Sequence, residues 1–272
     1  MIDSAALSMH YGRFRVSERV LLTGHSHQAW PDVAAEGQLL ALADAAEHID
    51  DKWHRAFLKA ADVRRGFAAL LGEPGADIAL APNTHDLFVR LLSALPLRSR
   101  SRIVSTDGEF HTVRRQLSRL AEEGVEVVLV PSLPAESVGE RLAAEVNDRT
   151  ALVVVSAVFF DSGRIAGSLS AAARAAEEHG AALLVDAYHA LGVLEFPISD
   201  QGLDTAFVIG GGYKYCQLGE GNCFLRVPPG CVLRPVVTGW FADFGSLEAP
   251  PGAVVSYGSS PGARFAGATY DP

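Results

Sequence analysis

The stretch Leu183-Leu-Val-Asp-Ala-Tyr-His-Ala-Leu-Gly192 is an apolar run that ends in a carboxylate, and a histidine follows three residues later. Such a run predicts a buried strand whose last residue, Asp186, lies at the carboxyl edge of a sheet. Functional groups of open α/β sheets collect outside the carboxyl ends of the strands. Asp186 and His189 are therefore candidate site residues, although each on its own is equally often a turn residue or a packed core residue.

Short apolar strands alternate with helical patterns along most of the chain. Strands separated by helices predict parallel βαβ units with helices on both faces of a sheet. Strands joined by turns alone predict antiparallel members, so the sequence predicts an α/β fold with a mostly parallel sheet. The helix-linked strands are predicted near Ile78–Leu80, Arg102–Ser105, Val125–Val130, Ala151–Phe159 and Ala181–Val185, and the turn-linked ones near Thr205–Ile209, Asn222–Arg226 and Val232–Val237.

A second stretch, Thr205-Ala-Phe-Val-Ile-Gly-Gly-Gly-Tyr-Lys-Tyr-Cys-Gln-Leu-Gly-Glu-Gly-Asn222, leads from a strand through three glycines to a lysine. It lacks the Gly-Lys-Ser/Thr order of a P-loop, and no helix follows as a dinucleotide fingerprint requires. A lysine on such a tight turn can lose its proton in a pocket and attack a carbonyl carbon to form a Schiff base. The alternative for Lys214 is an exposed hairpin lysine.

Asp186 and Lys214 together match the needs of pyridoxal 5'-phosphate (PLP). The lysine amine would hold the aldehyde of this cofactor, and the carboxylate would keep the ring nitrogen protonated so that the ring can accept electrons. His189 would face the ring or its phenolic oxygen. The pair therefore predicts a PLP cofactor and an enzyme with an amino-acid substrate.

The cofactor's phosphate and ring also need partners. The segment Pro82-Asn-Thr-His-Asp86 opens a predicted helix, whose first N–H groups suit a phosphate. We therefore take Asn83, Thr84 and His85 as candidate phosphate contacts, with Asn83 also expected to cap the helix. Phe110 follows a predicted strand and is a candidate to cover one face of the ring, with a core Phe as the alternative.

Composition excludes several classes of protein. The net charge of the 272-residue chain is −9, the opposite sign to that of a general nucleic-acid binder. The longest apolar run, Ala151–Phe160, has half the length of a bilayer span, and the first residues do not resemble a signal peptide. Three cysteines without zinc-type spacing are typical of reduced thiols, so we expect no membrane contact, no metal and a cytoplasmic location.

The chain divides into three predicted regions. Residues 1–30 form an irregular arm, residues 31–240 a large cofactor-binding domain, and residues 241–272 a loop-rich segment rich in Pro, Gly and Ser. We expect the last segment to lead to a C-terminal small domain that is missing from this chain. The alternative is a one-domain protein with a loose tail.

Several stretches resemble one family. Val185-Asp-Ala-Tyr-His-Ala-Leu-Gly192 and Gly212-Tyr-Lys-Tyr215 resemble the class V aminotransferase fold, and most closely its kynureninase branch, which has an Asp-x-x-His strand end and a Tyr-Lys-Tyr turn. Three further segments share in the resemblance. Thr238-Gly-Trp-Phe241 resembles a kynureninase segment whose Trp lines the active site, and Arg264-Phe-Ala-Gly-Ala-Thr269 resembles a class V segment whose Thr reaches the neighbouring subunit's cofactor phosphate. Thr23-Gly-His-Ser-His27 resembles an N-terminal segment near the substrate.

The resemblance implies the large domain of PLP-dependent transferases, with a seven-stranded type of sheet, and a homodimer with shared active sites. It also implies kynureninase-like hydrolysis of a Cβ–Cγ bond in an amino acid. The implied roles are a Schiff base at Lys214, pairing of Asp186 with the ring nitrogen, ring orientation by His189, stacking by Phe110, phosphate contacts from Thr84 and Tyr213, and cofactor contacts at the dimer interface from Trp240 and Thr269.

The sequence departs from the kynureninase pattern at three places. Val113 stands where kynureninases carry an Asp, His25 replaces an Asn, and the arginine that holds a substrate carboxylate belongs to a C-terminal domain that we do not find. A class V aminotransferase, a cysteine desulfurase or β-lyase, and a truncated non-catalytic protein therefore remain alternatives. A desulfurase needs a mobile cysteine, for which Cys216 is a poor candidate. A metal hydrolase built on His25 and His27 is a weaker alternative.

Overall fold

Seven strands form one sheet in the computed structural model, which describes residues 3–246, 248–258, 260 and 262–266. Their order across the sheet is first, seventh, sixth, fifth, fourth, second, third. The predicted α/β fold class with a mostly parallel sheet is therefore confirmed. The strands are β1 (Asp77–Ala81), β2 (Arg102–Thr106), β3 (Glu126–Val130), β4 (Thr150–Ser156), β5 (Ala182–Asp186), β6 (Phe207–Gly211) and β7 (Cys223–Val227).

Strand direction follows the connections between the strands. β2, β3, β4, β5 and β6 pair in parallel, whereas β7 is antiparallel to both β6 and β1. β6 and β7 are joined by a short loop without a helix, which permits only the antiparallel arrangement. As a result, the carboxyl ends of β1, β2, β4, β5 and β6 and the beginning of β7 lie at the same edge of the sheet.

The predicted strand Val232–Val237 is wrong. The segment is irregular and interrupted by Pro235, which has no N–H for a strand ladder. The backbone N–H of Val237 instead donates to Ser93 Oγ at 3.0 Å, and the Val236 side chain is 81% exposed. The apolar residues of this segment are therefore not buried on one face of a sheet.

Helices cover the sheet and precede it along the chain. Two of them follow the predicted helical patterns near 32–50 and 52–71. The first residues, predicted to be irregular, contain one short α-helix followed by 3-10 turns. No helix of the described ranges has both the length and the apolar character needed to cross a membrane. The helices are α1 (Ser4–Ser8), α2 (Val33–Glu47), α3 (Lys52–Leu70), α4 (Thr84–Ala94), α5 (His111–Glu122), α6 (Val138–Glu145) and α7 (Leu169–Glu178).

β4 lies at the centre of the core, and every one of its residues is buried. Its side chains alternate between two apolar clusters, because successive strand residues point to opposite faces. Val153 and Val155 belong to one cluster, and Leu152 and Val154 to the other. Burial on both faces explains why β4 has a continuous apolar sequence, and it holds the loops at the carboxyl edge on a rigid support.

Candidate active site

A cavity of about 350 Å³ opens at the carboxyl edge of the sheet. The loops that follow β1, β2, β4, β5 and β6 line it, together with the beginning of β7. Residues that are far apart in sequence meet there because these strand ends share one edge. The lining comprises His27, Pro82, Asn83, Thr84, Phe88, Phe110, Thr112, Val113, Ser156, Val158, Phe160, Leu184, Asp186, Tyr188, His189, Ile209, Tyr213, Lys214, Glu220, Gly221 and Cys223.

Lys214 lies on the turn after β6 and is only 6% exposed. The turn closes through a hydrogen bond from Leu218 N–H to the Gly212 carbonyl at 2.9 Å. A Cβ on Gly212 would lie 2.6 Å from the Leu218 side chain, so this tight turn requires glycine. Burial lowers the pKa of Lys214, and Asp186 partly counteracts this effect. The lysine is therefore an enclosed amine and not an exposed hairpin residue.

The Lys214 amine contacts the imidazole of His189. Lys214 Nζ lies 2.6 Å from His189 Nε2. Burial and the charge of Lys214 lower the pKa of His189 to about 4, so the imidazole is neutral near pH 7. A neutral imidazole nitrogen can accept a hydrogen bond from the amine and hold it in place.

Asp186 ends β5 at the floor of the cavity. Its Oδ1 accepts a hydrogen bond from Tyr188 N–H at 2.9 Å. Burial raises the pKa of Asp186, while this hydrogen bond and the charge of Lys214 favour the ionised form. Such a carboxyl group has a strong preference for a cationic partner, because a buried charge is unfavourable without one.

The residues predicted for a phosphate lie at the beginning of α4. Asn83 caps this helix, with its Oδ1 accepting from Asp86 N–H at 2.8 Å. Thr84 lines the cavity, and its backbone N–H donates to Cys223, whose pKa is nevertheless raised to about 11 by burial. His85 is exposed and is not part of the cavity lining. The helix N-terminus thus faces the cavity through Asn83 and Thr84.

Aromatic rings surround the lysine amine. Lys214 Nζ lies 5.1 Å from the centroid of the Phe110 ring and 4.7 Å from that of Tyr188. Phe110 packs edge-on against Phe160 at 5.3 Å, and Tyr213 packs against Tyr188 at 5.5 Å. Phe110 is 38% exposed, so it is a cavity wall and not a core residue.

Two of the predicted site residues, Trp240 and Thr269, were assigned to a dimer interface. Trp240 packs against Trp53 and Phe241, with ring centroids 6.5 and 4.9 Å away, and does not line the cavity. Thr269 lies outside the described residues. Because both contacts were predicted across a dimer interface, they stay predictions.

The histidines of the N-terminal arm lie near the site. His27 lines the cavity and contacts Ser26 Oγ through its Nδ1 at 2.9 Å, while His25 acts electrostatically on His189. Within the described ranges, no group of three or more His, Cys, Asp or Glu side chains is arranged to hold a metal ion. The arm therefore contributes the His27 side chain to the cavity lining.

Sequence reasoning missed Glu109, Ser156 and Tyr188. Glu109 is 1% exposed and accepts hydrogen bonds from Thr106 and Ser156. It follows the end of β2 by three residues, and nothing local in the sequence indicated which residues it would contact. Tyr188 lies between Asp186 and His189 in the quoted stretch, where its side-chain direction could not be read.

The arrangement has definite chemical capacities. An enclosed amine can bind a carbonyl carbon covalently. The nearby carboxylate can pair with a cationic ring nitrogen, the N-terminus of α4 can bind an anionic group, and Phe110 can cover a planar ring. These groups fit a planar, phosphorylated aldehyde cofactor such as PLP.

Known proteins with similar sequences agree with this assignment. The family model "Aminotransferase class-V" matches residues 43–216. The chain is 32% identical over 211 residues to an isopenicillin N epimerase of Streptomyces clavuligerus, 27% over 191 to the uncharacterised aminotransferase YcbU of Bacillus subtilis, and 29% over 195 to a kynureninase of Xanthomonas campestris pv. campestris. These matches cover 74%, 70% and 66% of this chain, and 52%, 50% and 45% of the relatives. The chain thus spans about half the length of the curated relatives.

A solved structure shares the fold. A mutant of the cystine lyase C-DES, with glycine covalently linked to its PLP cofactor, superposes with a TM-score of 0.82 at 17% identity. The match covers 99% of this chain and 70% of that structure. The predicted family resemblance is confirmed by the family model, which matches more than half of the chain, and the predicted PLP cofactor is the one this family uses. The chain belongs to the class V aminotransferase family of PLP-dependent enzymes.

Proposed function

We propose that this chain acts on an amino acid through PLP and that the reaction is a kynureninase-like hydrolytic cleavage of a Cβ–Cγ bond. The observation that carries the proposal is the Lys214 amine, 2.6 Å from the His189 imidazole in a cavity that also contains Asp186. Membership of the class V family supports an enzyme, and the similarity to a kynureninase supports the finer reaction.

The cavity residues provide a partner for each part of the cofactor. Lys214 would hold its aldehyde carbon and Asp186 its ring nitrogen. Thr84 and Tyr213 would contact the phosphate, and Phe110 would cover the ring. When bound, PLP supplies a covalent anchor for the substrate amine and an electron sink for negative charge at the substrate Cα.

Proton transfer falls to Lys214. Burial lowers the pKa of Lys214, so a larger fraction of this amine is neutral than for an exposed lysine. The neutral amine is the form that can accept a proton from a substrate Cα. The neutral imidazole of His189 accepts a hydrogen bond from this amine and adds no positive charge beside it. His189 thereby fixes the position of the base within the cavity lining.

The walls of the cavity favour a substrate with an aryl or apolar side chain. Phe110 and Phe160 pack edge-on at 5.3 Å, and Phe88 and Val158 extend the apolar lining. A charged side chain packed against these apolar groups would lose hydration. This wall supports an aryl substrate of the kynurenine type over a small polar one.

The three cysteines of this chain are poor candidates for the nucleophile of a desulfurase. All three cysteines lie in the described part of the chain, and none is exposed. Burial raises the pKa values of Cys216, Cys223 and Cys231, which disfavours the thiolate that a persulfide-forming nucleophile needs. An epimerase is the second candidate, because the isopenicillin N epimerase has a higher identity, 32%, than the kynureninase, and α-proton transfer by Lys214 would serve both reactions.

Covalent capture of the cofactor is the first test. The chain has three lysines, Lys52, Lys59 and Lys214, so the assignment is unambiguous. The PLP-loaded protein is reduced with borohydride, digested and mapped by mass spectrometry. We expect a pyridoxyl label on Lys214, its loss in Lys214→Ala, and its retention in the control Lys59→Ala. A label confined to Lys52 or Lys59, or no label, contradicts the proposal.

The reaction is tested with a substrate panel. The PLP-loaded protein is incubated with L-kynurenine, L-cysteine, L-alanine plus a keto acid, and single enantiomers of other amino acids. We expect an aryl carboxylic acid and alanine from kynurenine. Sulfide from cysteine would identify a desulfurase or lyase, and amino transfer to the keto acid would identify an aminotransferase. Racemised product without bond cleavage would identify an epimerase. Each of these results contradicts the hydrolase.

A further inference from the structure

Glu109 is a buried acid beside the site that the proposed reaction does not use. Its side chain is 1% exposed, and it accepts hydrogen bonds from Thr106 Oγ at 2.7 Å, Ser156 Oγ at 2.6 Å and Ser156 N–H at 3.1 Å. No arginine or lysine within the described ranges pairs with it. Three donors directed at one carboxyl group favour its ionised form, whereas burial without a cationic partner favours the protonated form.

These hydrogen bonds connect two parts of the cavity. Ser156, at the end of β4, stands directly opposite Asp186 in the register of β4 and β5. Glu109 is followed in the chain by Phe110, whose ring lies 5.1 Å from Lys214 Nζ. The Glu109 carboxyl therefore joins the loop that carries the ring-covering residue to the strand position beside Asp186.

Glu109 also lies within electrostatic reach of Asp186. Burial and, to a smaller extent, the charge of Asp186 raise the pKa of Glu109 to about 7, although the hydrogen bonds from Ser156 and Thr106 act in the opposite direction. Asp186, on β5, is the charged group that acts on Glu109, whereas the groups that face it from β2 and β4, Thr106 and Ser156, are neutral. Two buried carboxyl groups so placed titrate as an interacting pair.

We propose that Glu109 is a positioning residue for the cofactor site, holding the Phe110 loop against the strand beside Asp186 and acting on Asp186 through its charge. The part that concerns the bound cofactor rests on the proposed function. The carboxyl group itself is present with or without PLP, so the two can be tested separately.

The first experiment uses the cofactor-free chain. Difference infrared spectroscopy follows the carbonyl stretch of protonated carboxyl groups from about pH 5 to about pH 9. We expect a buried carboxyl group that titrates near pH 7, its loss in Glu109→Gln, and its retention in Asp107→Asn, which alters an exposed carboxylate of the same loop. A band that persists unchanged in Glu109→Gln overturns the proposal.

A second variant keeps the test valid if Glu109→Gln does not fold. Ser156→Ala removes the hydroxyl donor but leaves the backbone N–H donor. Because the hydroxyl hydrogen bond lowers the pKa of Glu109, its loss must move the infrared midpoint to higher pH. An unchanged midpoint in Ser156→Ala overturns the proposal.

The third measurement reads the effect on the cofactor. We titrate the visible absorbance of the PLP-loaded protein with pH. Removing a negative charge weakens proton affinity nearby, so Glu109→Gln should move the midpoint to lower pH by about half a unit or more. Asp107→Asn should leave it in place. Equal midpoints in the unmodified protein and Glu109→Gln overturn the proposed effect of Glu109 on the cofactor site. Failure of the unmodified protein to bind PLP counts against the proposed function and does not affect the infrared result.

Discussion

Replacing Glu109 by Gln should change how the stability of the cofactor-free chain depends on pH. Burial raises the pKa of Glu109 from 4.5 to about 7. Between these values the folded chain holds a proton that the unfolded chain has lost, so the contribution of Glu109 is fully present below pH 4.5 and is lost as the pH rises through 7. One pKa unit corresponds to about 1.4 kcal/mol, so the loss amounts to about 3 kcal/mol.

The free energy of unfolding is measured by urea denaturation at several pH values between about 4 and about 8. Because Gln does not titrate, the stability of Glu109→Gln minus that of the unmodified chain should rise by about 3 kcal/mol across this range. His189, whose pKa is lowered to about 4, contributes stability that increases with pH, but it is common to both proteins and cancels in the difference. Asp107→Asn is the matched control in the same loop. A difference that stays constant within about 0.5 kcal/mol would refute the reasoning.

Three further predictions concern other buried groups. Arg226 is 1% exposed and donates two 2.7 Å hydrogen bonds to Glu73. Glu73→Ala should lower the free energy of unfolding by about 3 kcal/mol in urea denaturation, because it leaves Arg226 buried without its counter-charge. A loss below about 1 kcal/mol would contradict this. Asn83→Ala should cost about 1 kcal/mol in the same assay by removing the cap on Asp86 N–H, and Asn83→Asp should restore it. Burial raises the pKa of the Cys223 thiol to about 11, so this thiol should react with iodoacetamide about 100-fold more slowly than free cysteine at pH 8. The reaction is followed by mass spectrometry. A rate comparable to that of free cysteine would show that the Cys223 thiol is not buried.

The main elements could be predicted from sequence because their patterns are local. The continuous apolar run of β4 reflects burial on both faces, and the acid that ends β5 marks the carboxyl edge. The same kind of pattern failed at Val232–Val237, which is rich in apolar residues. Pro235 interrupts the segment, and the Val237 N–H donates to Ser93 Oγ instead of to a strand partner. A local apolar pattern indicates that a segment can be buried, but it does not indicate which element of the fold it packs against.

The candidate site could be predicted only in part. Asp186, His189 and Lys214 were recognisable because each follows a strand that is visible in the sequence, and Thr84 because it opens a helix. The contact between His189 and Lys214, 25 residues apart, depends on the pairing of β5 with β6.

By itself, the sequence determined the strand and helix pattern, and with it the edge at which an acid, an amine and a helix N-terminus would gather. Only the tertiary structure decided which neighbour each group meets, so that Glu109 lies against Ser156 and the Lys214 amine against His189. The physical reason is that hydrophobic periodicity is encoded within a few neighbouring residues. Hydrogen bonding and the pKa values of buried groups depend on atoms that come together only when distant strands pair.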